Sequence, residues 1–290
     1  MAVHRRTYKA YDGVVATPFK RWMVIPRYAL RDVAASRALV GFLFISLVPM
    51  LVEWAIVYLF HNEAARTLLH LDAATFLQLD AGFFLHVLAI QSGLALVLAA
   101  WVGPAIVAPD LVNGALTLYL SRPISRAEYV SGKLGFLVAL LSLVGWVPAL
   151  AVFAFQADLA GWQWTTDHLR IPVAIVLAGL LWTIVIAFLS VVASVWVRWR
   201  MAATGLFLAI FFVGSGMGEA WAAILDTPLG RLTNLNLLLN VVWYQLFGVT
   251  PGSPRVGDIP ASLAWGVLVG VALVALFLLD RRLRAREVVR

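Results

Sequence analysis

Few residues in this chain have the type and spacing for chemistry. Glu53 is the one carboxylate inside a long apolar run, about one helical turn after Pro49. A carboxylate at membrane depth is costly and points to a pathway through the protein; the other reading is a side chain reaching the interface beside Trp54. His4, His61, His70, His86 and His168 are scattered with no metal-ligand spacing, and the chain has no Cys. No metal site, thiol nucleophile or disulfide is therefore expected. His61 and Glu63 are near neighbours without further partners in the pattern. His86 and Gln91 either face a polar cavity or hydrogen-bond between helices. Neither a Ser/His/Asp set nor a carboxylate pair is spaced for catalysis, so no catalytic residue is assigned. A phosphate-cradling P-loop needs Gly-x-x-x-x-Gly-Lys-[Ser/Thr]. The only Gly-Lys pair, Gly132-Lys133, is followed by Leu134 and has Ala127 at the first Gly position.

The elements that would hold these residues are membrane spans. Of 290 residues, 62% are hydrophobic and 13% charged, against about 25% charged in a soluble domain. The 12 Trp residues suit membrane–water interfaces. A crossing helix needs roughly 20 mainly apolar residues. Five runs satisfy this, at 38–60, 83–107, 134–156, 171–197 and 261–279. A sixth, 201–217, enters the glycine-rich Gly214-Ser215-Gly216-Met217-Gly218, read either as a break leading into a short re-entrant helix or as a close helix–helix contact. A shorter run, Leu235–Phe247, carries Asn236 and Asn240 and is expected as a re-entrant or interfacial hairpin on the outer face.

Charge supports six spans with both ends cytoplasmic. Eight basic residues precede residue 38, three lie in 108–133, two in 198–200 and five after Asp280. Only Arg66, Arg170, Arg231 and Arg255 fall in the alternate loops, as the positive-inside rule requires. The net charge of +7 thus records topology, and no nucleic-acid partner is needed. The chain divides into an N-terminal cytoplasmic segment (1–37), a transmembrane domain (38–280) and a basic tail (281–290). With no small-residue cleavage site behind it, the first run is expected to be a retained span. Within 1–37, Pro26 is placed at a first helical position. Ala29, Leu30 and Val33 then form an apolar stripe with Arg27, Arg31 and Arg37 elsewhere. This segment is an interfacial helix on anionic headgroups, a topogenic flank, or both.

The loop between the second and third spans carries more pattern than the others. Leu111, Ala115 and Leu118 recur at helical spacing. Arg122-Pro123 ends that piece. Ser125 and Glu128 have the Ser-x-x-Glu spacing of a capping box that opens the next helix. By pattern this is either an ordinary helical connection or a rigid element able to push on the spans.

Asp110, Asn113-Gly114-Ala115-Leu116, Leu120-Ser121-Arg122-Pro123-Ile124-Ser125-Arg126 and Tyr129-Val130-Ser131-Gly132-Lys133 together resemble the cytoplasmic signature of type-2 ABC exporter permeases. The acidic position, often Glu in that family, is Asp110 here, and the usual Gly-Thr pair is Gly114-Ala115. The resemblance implies an all-α permease with six spans, an amphipathic N-terminal connecting helix and a coupling helix between spans 2 and 3. It further implies ATPase contacts at Asp110, Asn113, Gly114, Arg122 and Arg126, with Ser121 and Pro123 shaping the loop. Two permease chains, expected as a homodimer in the inner cell membrane, would work with two copies of a separate ABC ATPase. ATP and Mg would sit on that partner, with no cofactor in this chain. The rival expectation is a secondary transporter or other polytopic protein not driven by ATP. No internal repeat supports it.

Overall fold

The computed structural model describes residues 17–68, 78–112, 125–197 and 199–284, and all regular structure among them is helical. In chain order the helices are α1 (Pro18–Ala35), α2 (Arg37–Ile45), α3 (Val48–His61), α4 (Glu63–Leu68), α5 (Ala81–Val112), α6 (Arg126–Val144) and α7 (Trp146–Ala160). They continue as α8 (Trp162–Asp167), α9 (Arg170–Trp196), α10 (Arg200–Leu225), a 3-10 turn (Pro228–Thr233), α11 (Leu235–Phe247), α12 (Pro254–Gly257) and α13 (Ala261–Arg284). Six stretches are long and apolar enough to cross a membrane: Arg37–His61, Ala81–Ala108, Ala127–Ala160, Arg170–Trp196, Arg200–Leu225 and Ala261–Arg282.

The core is built around α9. It is apolar on all faces and buried along most of its length, as expected of a helix enclosed by others. It packs against α5, α6, α7, α10, α11 and α13, most extensively against α5. Gly103 of α5 lies directly against Ser190 of α9, where a Cβ would overlap the Ser190 side chain.

Two spans that read as single apolar runs are broken. The first divides at Ser46-Leu47, just before Pro49, and the third at Gly145, three residues before Pro148. Proline removes a helical donor and crowds the preceding turn. The bundle has a loop end, where α5 and α6 approach each other, and a distal end. Trp22 of α1 meets Ser131 at the loop end, and Arg282 lies over the Trp196 ring at 5.2 Å. At the distal end His61 Nε2 and Gln156 Oε1 are 3.0 Å apart.

One sequence expectation is corrected, and one choice between two readings is decided against a helix break. Pro26 does not begin the N-terminal helix: that place belongs to Pro18, and Pro26 is interior. An interior proline costs about 3 kcal/mol; Ile25 and Val33, buried against the bundle, offset it. The glycines at 214, 216 and 218 do not break the fifth span either, and α10 runs unbroken from Arg200 to Leu225. Each glycine costs only about 1 kcal/mol in a helix, and two of them form a contact face. A Cβ at Gly214 would stand 2.9 Å from the Thr233 carbonyl oxygen, and one at Gly218 would stand 3.1 Å from Thr233 Oγ1.

That contact reveals how the chain proceeds after α10. Gly230 packs on the Ala222 backbone, Thr233 Oγ1 donates to Gly214 O (3.2 Å), and Ser215 Oγ donates to Asn234 Oδ1 (2.9 Å). The chain therefore folds back along α10 by about 16 Å at 1.5 Å per residue. From there α11 returns to the distal end, where Arg170 donates to the Gln245 and Leu246 carbonyls at 2.9 Å each. Gly248 closes α11 in the left-handed conformation. At 13 residues α11 is about 20 Å long, too short to span a 30 Å hydrocarbon core.

Candidate functional site

The motif-bearing stretch at the loop end forms a three-helix clamp. Ser125 and Glu128 make the capping box their spacing predicts. Glu128 N donates to Ser125 Oγ (3.2 Å), and Ser125 N donates to Glu128 Oε2 (2.7 Å). With its start fixed, α6 presents Tyr129 and Lys133 on one face, one turn apart. Across from them Asp110 occupies the last turn of α5. Tyr129, 1% exposed, donates its hydroxyl to Asp110 Oδ2 at 2.7 Å. Lys133 Nζ lies 3.0 Å from the same oxygen and donates to the Ile106 carbonyl at 2.9 Å. The ammonium thus binds a backbone carbonyl in the last two turns of α5 as well as its carboxylate. Both ion-pair side chains are largely buried, 14% and 18% exposed. Removing one partner from such a pair costs more than its net contribution, because the other is left uncompensated.

α1 closes the clamp from another side of α6. Trp22 Nε1 donates to Ser131 Oγ at 3.0 Å. Gly132 and Gly135 provide flat ground one turn apart: a Cβ on them would lie 3.1 Å from Ile25 and 3.1 Å from the Trp22 ring. Within Tyr129-Val130-Ser131-Gly132-Lys133, each residue except Val130 thus has a specific contact. Tyr129 and Lys133 bind α5, while Ser131 and Gly132 receive α1. The clamp holds the C-terminal end of α5 and the N-terminal end of α6 together. Such an arrangement can transmit displacement; it assembles no nucleophile, acid or base.

The sequence-predicted site residues are only partly within view. Asn113, Gly114, Ser121, Arg122 and Pro123 lie outside the described residues, as does the expected coupling helix beyond Val112. Arg126 opens α6, with its side chain outside them as well. Asp110, singled out for contact with a partner, has its carboxylate on Tyr129 and Lys133 of its own chain. Sequence reasoning missed Tyr129, Lys133, Trp22 and Ser131 as site residues. The signal for two of them was present: a Tyr and a Lys four apart, immediately after a capping box.

Glu53 lies apart from this cluster, in the distal half of the first span. It is 5% exposed, and neither carboxylate oxygen has a hydrogen-bond partner among the described residues. Its neighbour Trp54 packs on Phe155 with ring centres 5.5 Å apart, and the buried indole nitrogens of Trp54 and Trp146 are likewise unpartnered there. Gln91 hydrogen-bonds between helices, with its amide oriented to donate to Val144 O and Ser46 O. His86 is exposed on the chain's surface. Near the distal end an open cleft of about 350 Å³ is lined by residues including Tyr244, Gln245, Thr250 and Ile259. Among the described residues no three His, Asp or Glu side chains converge as metal ligands.

A family model described as ABC-2 family transporter protein matches residues 28–278, which takes in the C-terminal part of α1, the α5–α6 contacts of the clamp and the six apolar stretches up to residue 278 of the last. No curated protein matches the chain.

Proposed function

The chain belongs to the ABC-2 transporter family, and from that premise we propose that it is the membrane-spanning subunit of an ATP-driven exporter. Two copies form the pathway as a homodimer in the inner cell membrane, with both termini cytoplasmic and two separate ABC ATPase subunits below. ATP and Mg are held by those partners. The basic residues gathered at the N-terminus, the 108–133 loop and the tail support this orientation. In that orientation the fold-back through Pro228–Phe247 is a re-entrant hairpin on the outer face, covered by α9, α10 and α13 as backbone at that depth requires.

The clamp of Asp110, Tyr129 and Lys133 is the observation that carries the reading. A loop that merely joined two spans would not need a buried ion pair, a lysine bonded to a backbone carbonyl and a third helix around its base. In the proposed mechanism the 110–120 segment docks on the ATPase, with Asn113, Gly114, Arg122 and Arg126 as contacts and Ser121 and Pro123 shaping it. Closure of the ATPase pair moves that segment, and the clamp passes the movement to α5, α6 and α1 as one body. Glu53 lines the outer part of the pathway.

The test is co-purification with the ATPase followed by transport in vesicles. Lys133→Ala is expected to leave the complex assembled and hydrolysing ATP while transport falls about tenfold, equivalent to about 1.4 kcal/mol of lost coupling. Transport that persists when the ATPase carries a dead P-loop lysine would overturn the reading in favour of a secondary transporter.

A further inference from the structure

Helix breaks in the first and third spans meet at one side chain. Pro148 has no N–H, so the Val144 carbonyl loses the donor an unbroken helix would supply. The chain turns at Gly145 (φ −81, ψ −89), whose Cβ position would be 3.0 Å from Leu141 O and 3.7 Å from Ala95 of α5. In the first span Pro49 similarly deprives Ile45, and the backbone turns at Ser46-Leu47. Gln91 of α5, with no exposed surface, donates one amide hydrogen to Val144 O (3.0 Å) and the other to Ser46 O (3.3 Å). One carboxamide therefore bridges both interruptions.

The segments beyond the breaks are bound to each other. Trp54 packs on Phe155, and His61 pairs with Gln156, joining α3 to α7. Phe153 against Trp164 attaches α8, with ring centres 5.8 Å apart. On the other side of the breaks, α6 is held by the clamp to α1 and α5. Apart from the packing of Trp146 on Gly179 of α9 and of Phe153 on Phe84 of α5 (ring centres 5.5 Å apart), the two internally bonded bodies are joined through two interrupted helices at one level, where both meet the same residue.

We propose that Gln91 is the hinge pin about which α3, α7 and α8 rock as a unit against the α5–α9 scaffold. Interrupted helices are where packed bodies pivot, because backbone there can change direction without breaking a continuous hydrogen-bond ladder. Gln91 keeps the pivot in place during that change: its two N–H groups hold carbonyls on either span that would otherwise have to find other donors in hydrocarbon. It is a positioning residue and touches no cargo. The use of this motion in transport rests on the permease reading; the existence of the hinge does not.

The absence of Cys allows the motion to be read with paired spin labels in the full chain in nanodiscs. One pair, Tyr58→Cys with Val173→Cys, measures the rocking unit against α9; a second, Tyr58→Cys with Leu159→Cys, lies within the unit. All three positions are exposed. Without ATPase or nucleotide, Gln91→Leu is expected to broaden the first distance distribution and leave the second unchanged. Pro148→Ala returns an N–H to Val144 O and is expected to narrow the first, and it serves independently if Gln91→Leu does not fold. Equal first-pair distributions in the wild type and in whichever of these variants folds, or a second pair that broadens with the first, would overturn the hinge. With the ATPase present, a nucleotide-driven shift of the first pair that is lost in Gln91→Leu links the hinge to transport. Gln91-dependent broadening without any nucleotide-driven shift leaves the hinge standing and counts against the permease reading alone.

Discussion

Pro104 in α5 and Pro148 in α7 each leave a carbonyl without its helical donor, at Ala100 and Val144 respectively, and the surroundings answer very differently. Around Pro104, Thr204 Oγ1 donates to Ala100 O and Ser190 Oγ to Ala99 O, both at 3.2 Å. Arg200 donates to Trp101 O at 3.3 Å. Ser194 donates to Pro104 O (3.0 Å) while accepting from the N–H groups of Val107 (3.3 Å) and Ala108 (2.8 Å). Gly103 lets α9 close onto this stretch. Around Val144, the donor among the described residues is one amide shared with another break. Nearby, Glu53, Trp54 and Trp146 hold buried polar atoms with no partner among those residues. The same covalent defect is thus locked by several donors on the α5–α9 side and left on a single pivot on the α3–α7 side. Redundant donors make a scaffold, whereas a sparse set leaves a part free to change its arrangement.

Gly103→Val puts the sharpest strain on that contrast. Its Cβ would overlap Ser190 and force α5 from α9, an overpacking cost of about 3 kcal/mol. Its thermal unfolding midpoint in detergent should fall further than that of Ser194→Ala, Glu53→Leu or Arg231→Gln. Ser194→Ala follows at about 2 kcal/mol, because two N–H groups and one carbonyl lose their partner together. If its unfolding midpoint matches the wild type, redundant donors do not lock the α5–α9 side. Glu53→Leu should move the midpoint upward by about 1 kcal/mol, since a buried carboxylate without partners is removed. Vesicle transport should nonetheless fall. A destabilised Glu53→Leu would mean that the carboxylate has a stabilising role and that the α3–α7 side is not sparse. Arg231→Gln has the smallest expected effect. It loses contacts with Glu219 (3.3 Å) and Asp258 (3.2 Å), both substantially exposed, so about 0.5 kcal/mol is at stake. Added salt should diminish that difference.

How much was legible depended on the range of the interaction. The capping box at Ser125 and Glu128 was readable because its two hydrogen bonds join residues three apart. The six apolar stretches were readable because crossing length is a property of local composition. The glycines near 214 stood out, yet their consequence was not decided by pattern: the Thr233 segment that covers them follows a turn whose path the local sequence does not specify. For Pro26 the local rule pointed the wrong way, since burial of Ile25 and Val33 on another helix outweighs the lost hydrogen bond. Asp110 was identified by type, and its intrachain partners lie 19 and 23 positions further on, across a loop.

The sequence by itself determined that this is a polytopic helical protein, where its spans lie and which segments carry the positive charge. Hydrophobic length, helix capping and charge placement all act within a few residues of one another, so they survive being read along a line. Tertiary structure alone decided what each polar group inside the bundle holds. With little water to substitute for a missing partner, a carbonyl freed by proline takes a donor from whichever helix packs beside it. Thr204 to Ala100 and Gln91 to Val144 are such choices, and packing likewise sets Lys133 on the Ile106 carbonyl. Those choices separate the part of the molecule that stays fixed from the part able to turn.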